Sequence, residues 1–225
     1  MIKSWSYSRI KDYKSCKYKA YLKHVERVPD PNPSPAADRG TAIHTMAEHY
    51  VMGNISTLPQ ELAKFKEDFA YLRDLHAAGQ VSLEGEWGFD KDWAVTDYRS
   101  AWGRIKADGV VHLDAQRAVV IDYKTGKKFG NEVSHAEQTQ LYSLAVFLRE
   151  PDIQTIKADL WYLDHGLVST LTITRTEALA KYLKYWDKSA KQMTTATEFP
   201  PNPNQFSCKW CPYKPSGTGH CKVGV

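Results

Sequence analysis

The stretch VVIDYKTGKKFG, at residues 119–130, constrains the fold most, because an apolar run ends in charged residues and then breaks on a glycine. If residues 119–124 are extended, side chains alternate between faces, so Asp122 and Lys124 share one face and Tyr123 takes the other. Such a pair is either a surface ion pair, which contributes about 0–1 kcal/mol, or half of a metal-dependent active site.

Strand and helix patterns alternate along the chain. Strands are predicted at 81–89, 105–113 and 117–123, with a turn at 114–117, and as a hairpin over 155–174. Helices are predicted at 8–23 with Ser8 as cap, 36–51, 59–79, 132–150 and 175–193, and a proline-broken loop at 28–35. We therefore expect an α/β fold with a central mixed sheet flanked by helices, as a single domain over residues 1–225.

The composition is that of a globular protein with a mild positive charge: 42% of 225 residues are hydrophobic, and the formal net charge is +4. No apolar run reaches the length of a membrane helix, and the first residues lack the apolar core of a signal peptide. We expect a cytoplasmic protein in a reducing setting, with no membrane partner and with cysteines that serve as ligands or thiols.

The N-terminal segment 1–27 is the most basic part of the chain, with eight Lys or Arg residues against two acidic ones. Two interpretations stay open for it. Either its lysines follow a phosphate backbone and its tyrosines stack on unpaired bases, or the lysines only solvate a helix whose tyrosines face the core. The residues concerned are Lys11, Tyr13, Lys14, Lys17, Tyr18, Lys19 and Tyr21.

The predicted hairpin brings further charged residues to Asp122 and Lys124. Asp108 lies in the apolar segment IKADGVV, where an unpaired buried carboxylate would be costly. An antiparallel pairing places it beside Asp122, and two carboxylates next to a lysine suit a hard cation such as Mg²⁺ or Mn²⁺. Lys124 would then orient a water or offset charge on a phosphate. Alone, an Asp and a Lys two residues apart is a weak signal.

Two helices add residues with a spacing of four. His44 and Glu48 share one helix face, so His44 is a candidate third metal ligand with Glu48 as support. Gln138 and Tyr142 share a face of the helix that follows the hairpin. The alternative for His44 is an ordinary core or surface histidine. The alternative for Gln138 and Tyr142 is routine helix packing.

Five segments occur in a specific order: SYSRIKDYKSCKYKAY, RGTAIHTMAE, ADGVV, VIDYKTGK and QTQLY. In order and spacing they resemble the RecB-type branch of the PD-(D/E)XK superfamily, the restriction-endonuclease-like nucleases. The resemblance covers most of the chain. It implies a restriction-endonuclease-like sheet and a divalent-metal-dependent DNA nuclease, an exonuclease acting on DNA ends or single strands.

The resemblance also implies roles for individual residues. Lys124 matches the catalytic lysine, and Gln138 and Tyr142 match the motif that holds substrate and active site. The metal ligands by resemblance are His44, Asp108, Asp122 and the carbonyl of Tyr123.

The strand ahead of the hairpin supplies one more candidate. Glu84 and Glu86 both lie in SLEGEWGF, and we expect Glu86 to be the auxiliary site residue.

The four cysteines form a second constellation. Cys208 and Cys211 have C-x2-C spacing, Cys221 follows in a Pro- and Gly-rich tail, and Cys16 is remote in sequence. The resemblance implies a [4Fe–4S] cluster, because a subset that includes CRISPR adaptation nucleases joins an N-terminal cysteine to a C-terminal trio. We expect residues 1–30 and 200–225 to form this cysteine-ligated subdomain.

The spacing before Cys221 is longer than in that subset, which leaves Zn²⁺ open, with His220 as a competing ligand. Four free buried thiols are the third interpretation.

A different class of function also remains open. The chain would then be a non-catalytic nucleic-acid-binding module of a recombination, repair or packaging assembly, or, more remotely, a zinc-stabilised structural protein. The expected partners are DNA and a separate helicase or recombination protein, since no helicase segment is present.

Overall fold

Six strands form one mixed sheet in this computed structural model, which describes residues 1–31, 34–126 and 128–225. The strands are β1 (Val81–Phe89), β2 (Val95–Thr96), β3 (Gly103–His112), β4 (Arg117–Lys124), β5 (Thr155–Tyr162) and β6 (Leu167–Thr174). Their order is β2-β1-β3-β4-β5-β6, with β4 and β5 parallel and the other neighbours antiparallel. The predicted mixed α/β sheet is confirmed.

The helices follow the predicted segments, with differences inside 8–23, 59–79 and 175–193 and an additional short helix in the tail. They are α1 (Tyr7–Ser15), α2 (Lys17–His24), α3 (Pro35–Val51), α4 (Lys66–Ala77), α5 (Glu132–Arg149), α6 (Arg175–Glu177), α7 (Leu183–Thr194) and α8 (Gln205–Lys209). A 3-10 turn, Gln60–Phe65, precedes α4, and a π-helical turn, Ala178–Tyr182, joins α6 to α7. The predicted loop at 28–35 includes residues 32 and 33, which lie outside the described residues.

The prediction of one helix over 8–23 capped by Ser8 was wrong. Ser6 caps α1 by accepting the N–H of Arg9, and the helix breaks at Cys16, whose backbone is extended at φ −160° and ψ 118°. The break lets Lys23 reach the buried Asp12, with 3.0 Å between ammonium and carboxylate. In a straight helix these two residues would stand about 16 Å apart along the axis.

Two large apolar clusters cover the two faces of the sheet. Val120 belongs to the cluster under α5, and its neighbour Ile121 belongs to the cluster under α3 and α4, as strand alternation requires. A third, small cluster around Leu22 and Tyr213 joins the chain termini. Among the described residues, no helix combines the length and the apolar character needed to cross a membrane.

The sheet forks where the pairing between β3 and β4 ends. β3 and β4 pair from His112 and Ala118 to Gly109 and Ile121. Beyond that point β4 stays paired with β5 as far as Lys124, while β3 stays paired with β1. Asp108 and Asp122 therefore lie at a fork between two diverging strands, where side chains from both are accessible to a ligand.

Candidate active site

A cavity of about 340 Å³ lies at this fork, and we call it the fork cavity. Helix α3 contributes His44 and Glu48, the strands contribute carboxylates and lysines, and α5 covers one side. Its lining includes the sequence-predicted residues His44, Asp108, Asp122, Lys124, Gln138 and Tyr142, together with Glu48, Glu84 and Lys106. The structure thus brings six predicted side chains from four elements to one place.

Three side chains lie close enough to share one metal ion. One ligand atom each from His44, Glu84 and Asp108 lies within 4.8 Å of the others. His44 Nδ1 is 3.1 Å from Asp108 Oδ1. Burial by itself lowers the pKa of His44, but the hydrogen bond and charge of Asp108 outweigh this effect and raise the pKa overall.

The second oxygen of Asp108 replaces a missing strand partner. Asp108 Oδ2 accepts the backbone N–H of Tyr123 at 2.7 Å, just past the point where β3 and β4 stop pairing. This bond satisfies a buried amide and holds the carboxylate across the fork. The Tyr123 side chain points to the other face, where its ring contacts those of Phe69 and Trp161, as the alternation predicted.

Asp122 is the most deeply buried charged group of the site, with a side chain that is 1% exposed. Lys124 Nζ lies 2.5 Å from Asp122 Oδ2, so the two groups form a close, buried ion pair. Burial raises the pKa of Asp122 to about 6, with Asp108 adding to the rise and Lys124 opposing it.

A hydrogen-bonded chain from α5 fixes the position of Lys124. Its ammonium donates to Gln138 Oε1 at 2.8 Å, and Gln138 Nε2 donates to the Tyr142 hydroxyl at 2.6 Å. Tyr142 is buried, and burial together with the charge of Asp122 raises its pKa well above the usual range. The spacing of four on α5 therefore serves to orient the lysine.

The choice between the two glutamates of β1 differs from our expectation. Glu86 is exposed and lies outside the lining of the fork cavity, whereas Glu84 belongs to the three-residue ligand group. Glu84 has φ 44°, and the strand changes faces there: Leu83 packs with the α3 and α4 cluster, while Trp87 belongs to the α5 cluster. Simple alternation could not reveal this switch.

Sequence reasoning also missed Lys106, which precedes Asp108 by two residues. Its ammonium lies 2.5 Å from Glu84 Oε2 at the edge of the fork cavity. Lys106 lies two residues before Asp108, just as Lys124 lies two residues after Asp122. This spacing was the sequence signal that could have identified Lys106.

The donor set fits a hard divalent cation. An imidazole and several carboxylates converge, and Asp108 and Asp122 are buried. Buried carboxylates this close together are stabilised by a bound cation. Glu84 joins His44 and Asp108 in the tight group, while Asp122 faces the same cavity from the side of Lys124.

The four cysteines line one other cavity. Cys16 lies at the break between α1 and α2, Cys208 on α8, and Cys211 and Cys221 in the tail. All four are free thiols. Within the described part of the chain they form no group with ligand atoms inside 4.8 Å, so a closed zinc geometry is absent and metal binding here stays a prediction.

The structure decides part of the question about the basic N-terminus. Tyr13 is buried, and Tyr18 and Tyr21 stack on each other beside the third cluster. These rings therefore pack within the protein and are not free to stack on a nucleic-acid base. Lys19 pairs with Asp12 at 3.2 Å. Lys11 stays at the surface, where it donates to Ser134.

Comparisons with known proteins agree with this geometry. A family model described as "PD-(D/E)XK nuclease superfamily" matches residues 4–216, while a search of curated proteins gave no match. The crystal structure of SSO0001 aligns with a TM-score of 0.52 and 14% identity, over 100% of this chain and 88% of that one. A "Putative exonuclease" from Eubacterium rectale aligns with a TM-score of 0.51 and 14% identity, over 90% of this chain and 85% of that one. At this identity, the two structures show a shared fold alone.

Proposed function

The chain belongs to the PD-(D/E)XK nuclease superfamily, and from that premise we propose that it is a divalent-metal-dependent deoxyribonuclease that acts on DNA ends or single strands. Membership of this family supports a metal-dependent nuclease activity. The observation that carries the proposal is the convergence of His44, Asp108, Asp122 and Lys124 on the fork cavity.

The cation would be held by the imidazole of His44 and by the carboxylates of Glu84, Asp108 and Asp122, with the carbonyl of Tyr123 as the remaining predicted ligand. When bound, Mg²⁺ or Mn²⁺ supplies Lewis acidity to the phosphodiester and makes water a better nucleophile at neutral pH. Glu84 takes the auxiliary role in this proposal that the sequence favoured for Glu86.

The protein side chains then position and stabilise the reacting groups. Lys124, held by Gln138, would donate to the phosphate oxygen on which negative charge accumulates in the transition state. Because the lysine is oriented before substrate arrives, little reorganisation is needed during the reaction. Tyr142 holds Gln138 in turn and keeps its amide oxygen directed at Lys124.

The test uses end-labelled single-stranded DNA, duplex DNA and RNA with Mg²⁺ or Mn²⁺, and EDTA as the blank. We expect metal-dependent cleavage of DNA, with mononucleotide release from a labelled end if the enzyme is an exonuclease. Lys124→Met should lower kcat by about 100- to 1000-fold. Lys157→Met is the matched control, because Lys157 also pairs with a buried aspartate but lies outside the fork cavity.

Two outcomes would contradict the proposal. If Lys124→Met cleaves as fast as the wild type, the assigned site is wrong. If the wild type binds DNA in a salt-dependent way but cleaves none of the substrates with either metal, the chain is a non-catalytic module.

We also propose that the four cysteines hold a [4Fe–4S] cluster, supported by their common cavity and by Cys16 standing at a helix break. Protein purified without oxygen should show a broad absorbance band at about 400 nm. Cys211→Ser should remove this absorbance. A colourless wild type with stoichiometric zinc would establish the zinc alternative instead.

A further inference from the structure

A second cavity adjoins the fork cavity, and we call it the flanking cavity. Its volume is about 260 Å³. Lys106, Gln138 and Tyr142 line both cavities, so the two lie side by side. On its far side the flanking cavity is lined by Ser6, Tyr98 and Arg104, among others.

The two cavities differ in charge. Four carboxylates face the fork cavity against two lysines, Lys106 and Lys124; the carboxylates are Glu48, Glu84, Asp108 and Asp122. The described lining of the flanking cavity contains Arg104 and Lys106 and no carboxylate. A cation is therefore favoured in the first cavity, and a phosphate is favoured in the second.

Arg104 lines the flanking cavity and carries a buried donor without a partner among the described residues. One guanidinium nitrogen donates to the carbonyl of Arg99, whereas its Nε–H is buried and has no hydrogen-bond partner among the described residues. An unsatisfied buried donor is costly, and guanidinium groups bind phosphate with paired N–H donors. Arg104 is therefore suited to an anionic ligand.

Tyr98 supplies an aromatic surface beside that cation. The guanidinium carbon of Arg104 lies 5.7 Å from the centre of the Tyr98 ring. The turn that carries Tyr98 is fixed by Asp97, whose Oδ1 accepts the N–H groups of Arg99 at 2.9 Å and Ser100 at 3.1 Å. The backbone turn that carries the ring is thus held in place before any ligand binds.

A close backbone contact brings Ser6 to the same cavity. Trp5 forms a parallel bridge with Gly103, and the N–H of Arg104 donates to the Trp5 carbonyl at 2.9 Å. A Cβ on Gly103 would lie 2.6 Å from Trp5 Cζ2, so only glycine allows this approach. The start of α1 is therefore fixed against β3, and Ser6 lines the flanking cavity together with Arg104.

We propose that the flanking cavity binds one nucleotide of a single strand, next to the bond that is cleaved. Arg104 and Ser6 bind its phosphate, and its unpaired base stacks on Tyr98. The cavity has room for one nucleotide but not for a duplex, so the substrate is single-stranded DNA or a frayed end. This inference rests on the proposed nuclease function for its placement beside a reacting phosphate.

The test measures affinity and cleavage separately. Binding of a fluorescent single-stranded oligonucleotide is followed by anisotropy in EDTA at several salt concentrations, for wild type, Arg104→Gln and Tyr98→Leu. Arg149→Gln is the matched control, because Arg149 also stacks on an aromatic ring, that of Trp87, but lines neither cavity.

We expect Arg104→Gln and Tyr98→Leu each to weaken binding by about 10-fold. Arg104→Gln should also lower the magnitude of the salt slope by about 0.7, the value for one lost phosphate contact on a single strand, while Tyr98→Leu leaves the slope unchanged. In cleavage assays both should raise KM by a similar factor with kcat nearly unchanged.

The failure of this inference differs from failure of the nuclease proposal. If the wild type cleaves DNA and both variants bind and cleave like Arg149→Gln, the flanking cavity is no nucleotide site while the nuclease function stands. If the wild type cleaves nothing, the anisotropy series still decides the inference. Equal affinity of the wild type for duplex and single strand would overturn it as well.

Discussion

Two aspartate–lysine pairs on neighbouring parallel strands look alike in sequence and differ in the structure. Asp122 and Lys124 end β4, and Lys157 and Asp159 lie within β5. Both aspartates are buried, and both lysines stand two residues away. The register pairs Asp159 with Ile121, so the two aspartates belong to opposite faces of the sheet.

The difference lies in how each carboxylate is satisfied. Asp159 accepts from Lys157 at 3.0 Å and from the Thr170 hydroxyl at 2.6 Å, so both of its oxygens have partners. Asp122 is paired with Lys124, but this lysine is shared with Gln138, and the carboxylate lines the fork cavity. A carboxylate with hydrogen bonds to both oxygens stabilises the fold, whereas a buried carboxylate that lines a cavity beside other carboxylates is available to a cation.

The largest expected effect is an opposite response of the two aspartates to the same substitution. Asp122→Asn should lower kcat/KM by about 1000-fold or more, or about 4 kcal/mol of transition-state stabilisation. It should leave the metal-free protein at least as stable at pH 7, because it removes a buried charge. Steady-state kinetics with Mn²⁺ and urea denaturation in EDTA measure the two quantities.

Asp159→Asn should do the reverse, with kcat/KM within about twofold of wild type and a loss of stability of about 1–3 kcal/mol. Equal losses of activity in two folded variants would show that the pairs do not differ in function.

The pH dependence of stability gives the next effect. Burial raises the pKa of Asp122 to about 6 from an ordinary value of 3.8, so between these values the folded, metal-free protein holds a proton that the unfolded chain has lost. Stability due to this group therefore falls as the pH rises from about 4 to 6, by up to about 3 kcal/mol. The stability difference between Asp122→Asn and wild type should grow over that range in EDTA, as urea denaturation would reveal. A difference that is constant with pH would contradict the raised pKa.

The smallest expected effect comes from Gln138, which binds Lys124 and has no counterpart at Lys157 among the described residues. Gln138→Met removes the acceptor that holds Lys124 and should lower kcat by about 10-fold, since a hydrogen bond to a charged group is lost. Gln140→Met on the same helix is the control, because Gln140 lines neither cavity. Single-turnover rates measure both, and equal rates would mean that Lys124 needs no support from α5.

Much of this arrangement followed from the sequence. Strand periodicity gave β1, β4 and the β5–β6 hairpin within about one residue, and the predicted family is confirmed. The positions of Asp108, Asp122 and Lys124 followed from antiparallel pairing, and those of Gln138 and Tyr142 from helical spacing. These features were predictable because each depends on a local repeat of two or of 3.6 residues.

Other features depended on contacts between distant segments. Glu84 rather than Glu86 enters the site because the backbone of Glu84 has a positive φ in the middle of a strand. The helix break at Cys16 goes together with the ion pairs that Asp12 makes with Lys19 and Lys23 of the next helix. No local sequence pattern predicts either feature.

The sequence by itself determined the strands of the sheet and the main helices, since backbone geometry sets those periods. Only the tertiary structure decided which aspartate–lysine pair faces a cavity and which is fully satisfied, because this depends on where β3 and β4 separate and on what α5 and β6 place opposite each carboxylate.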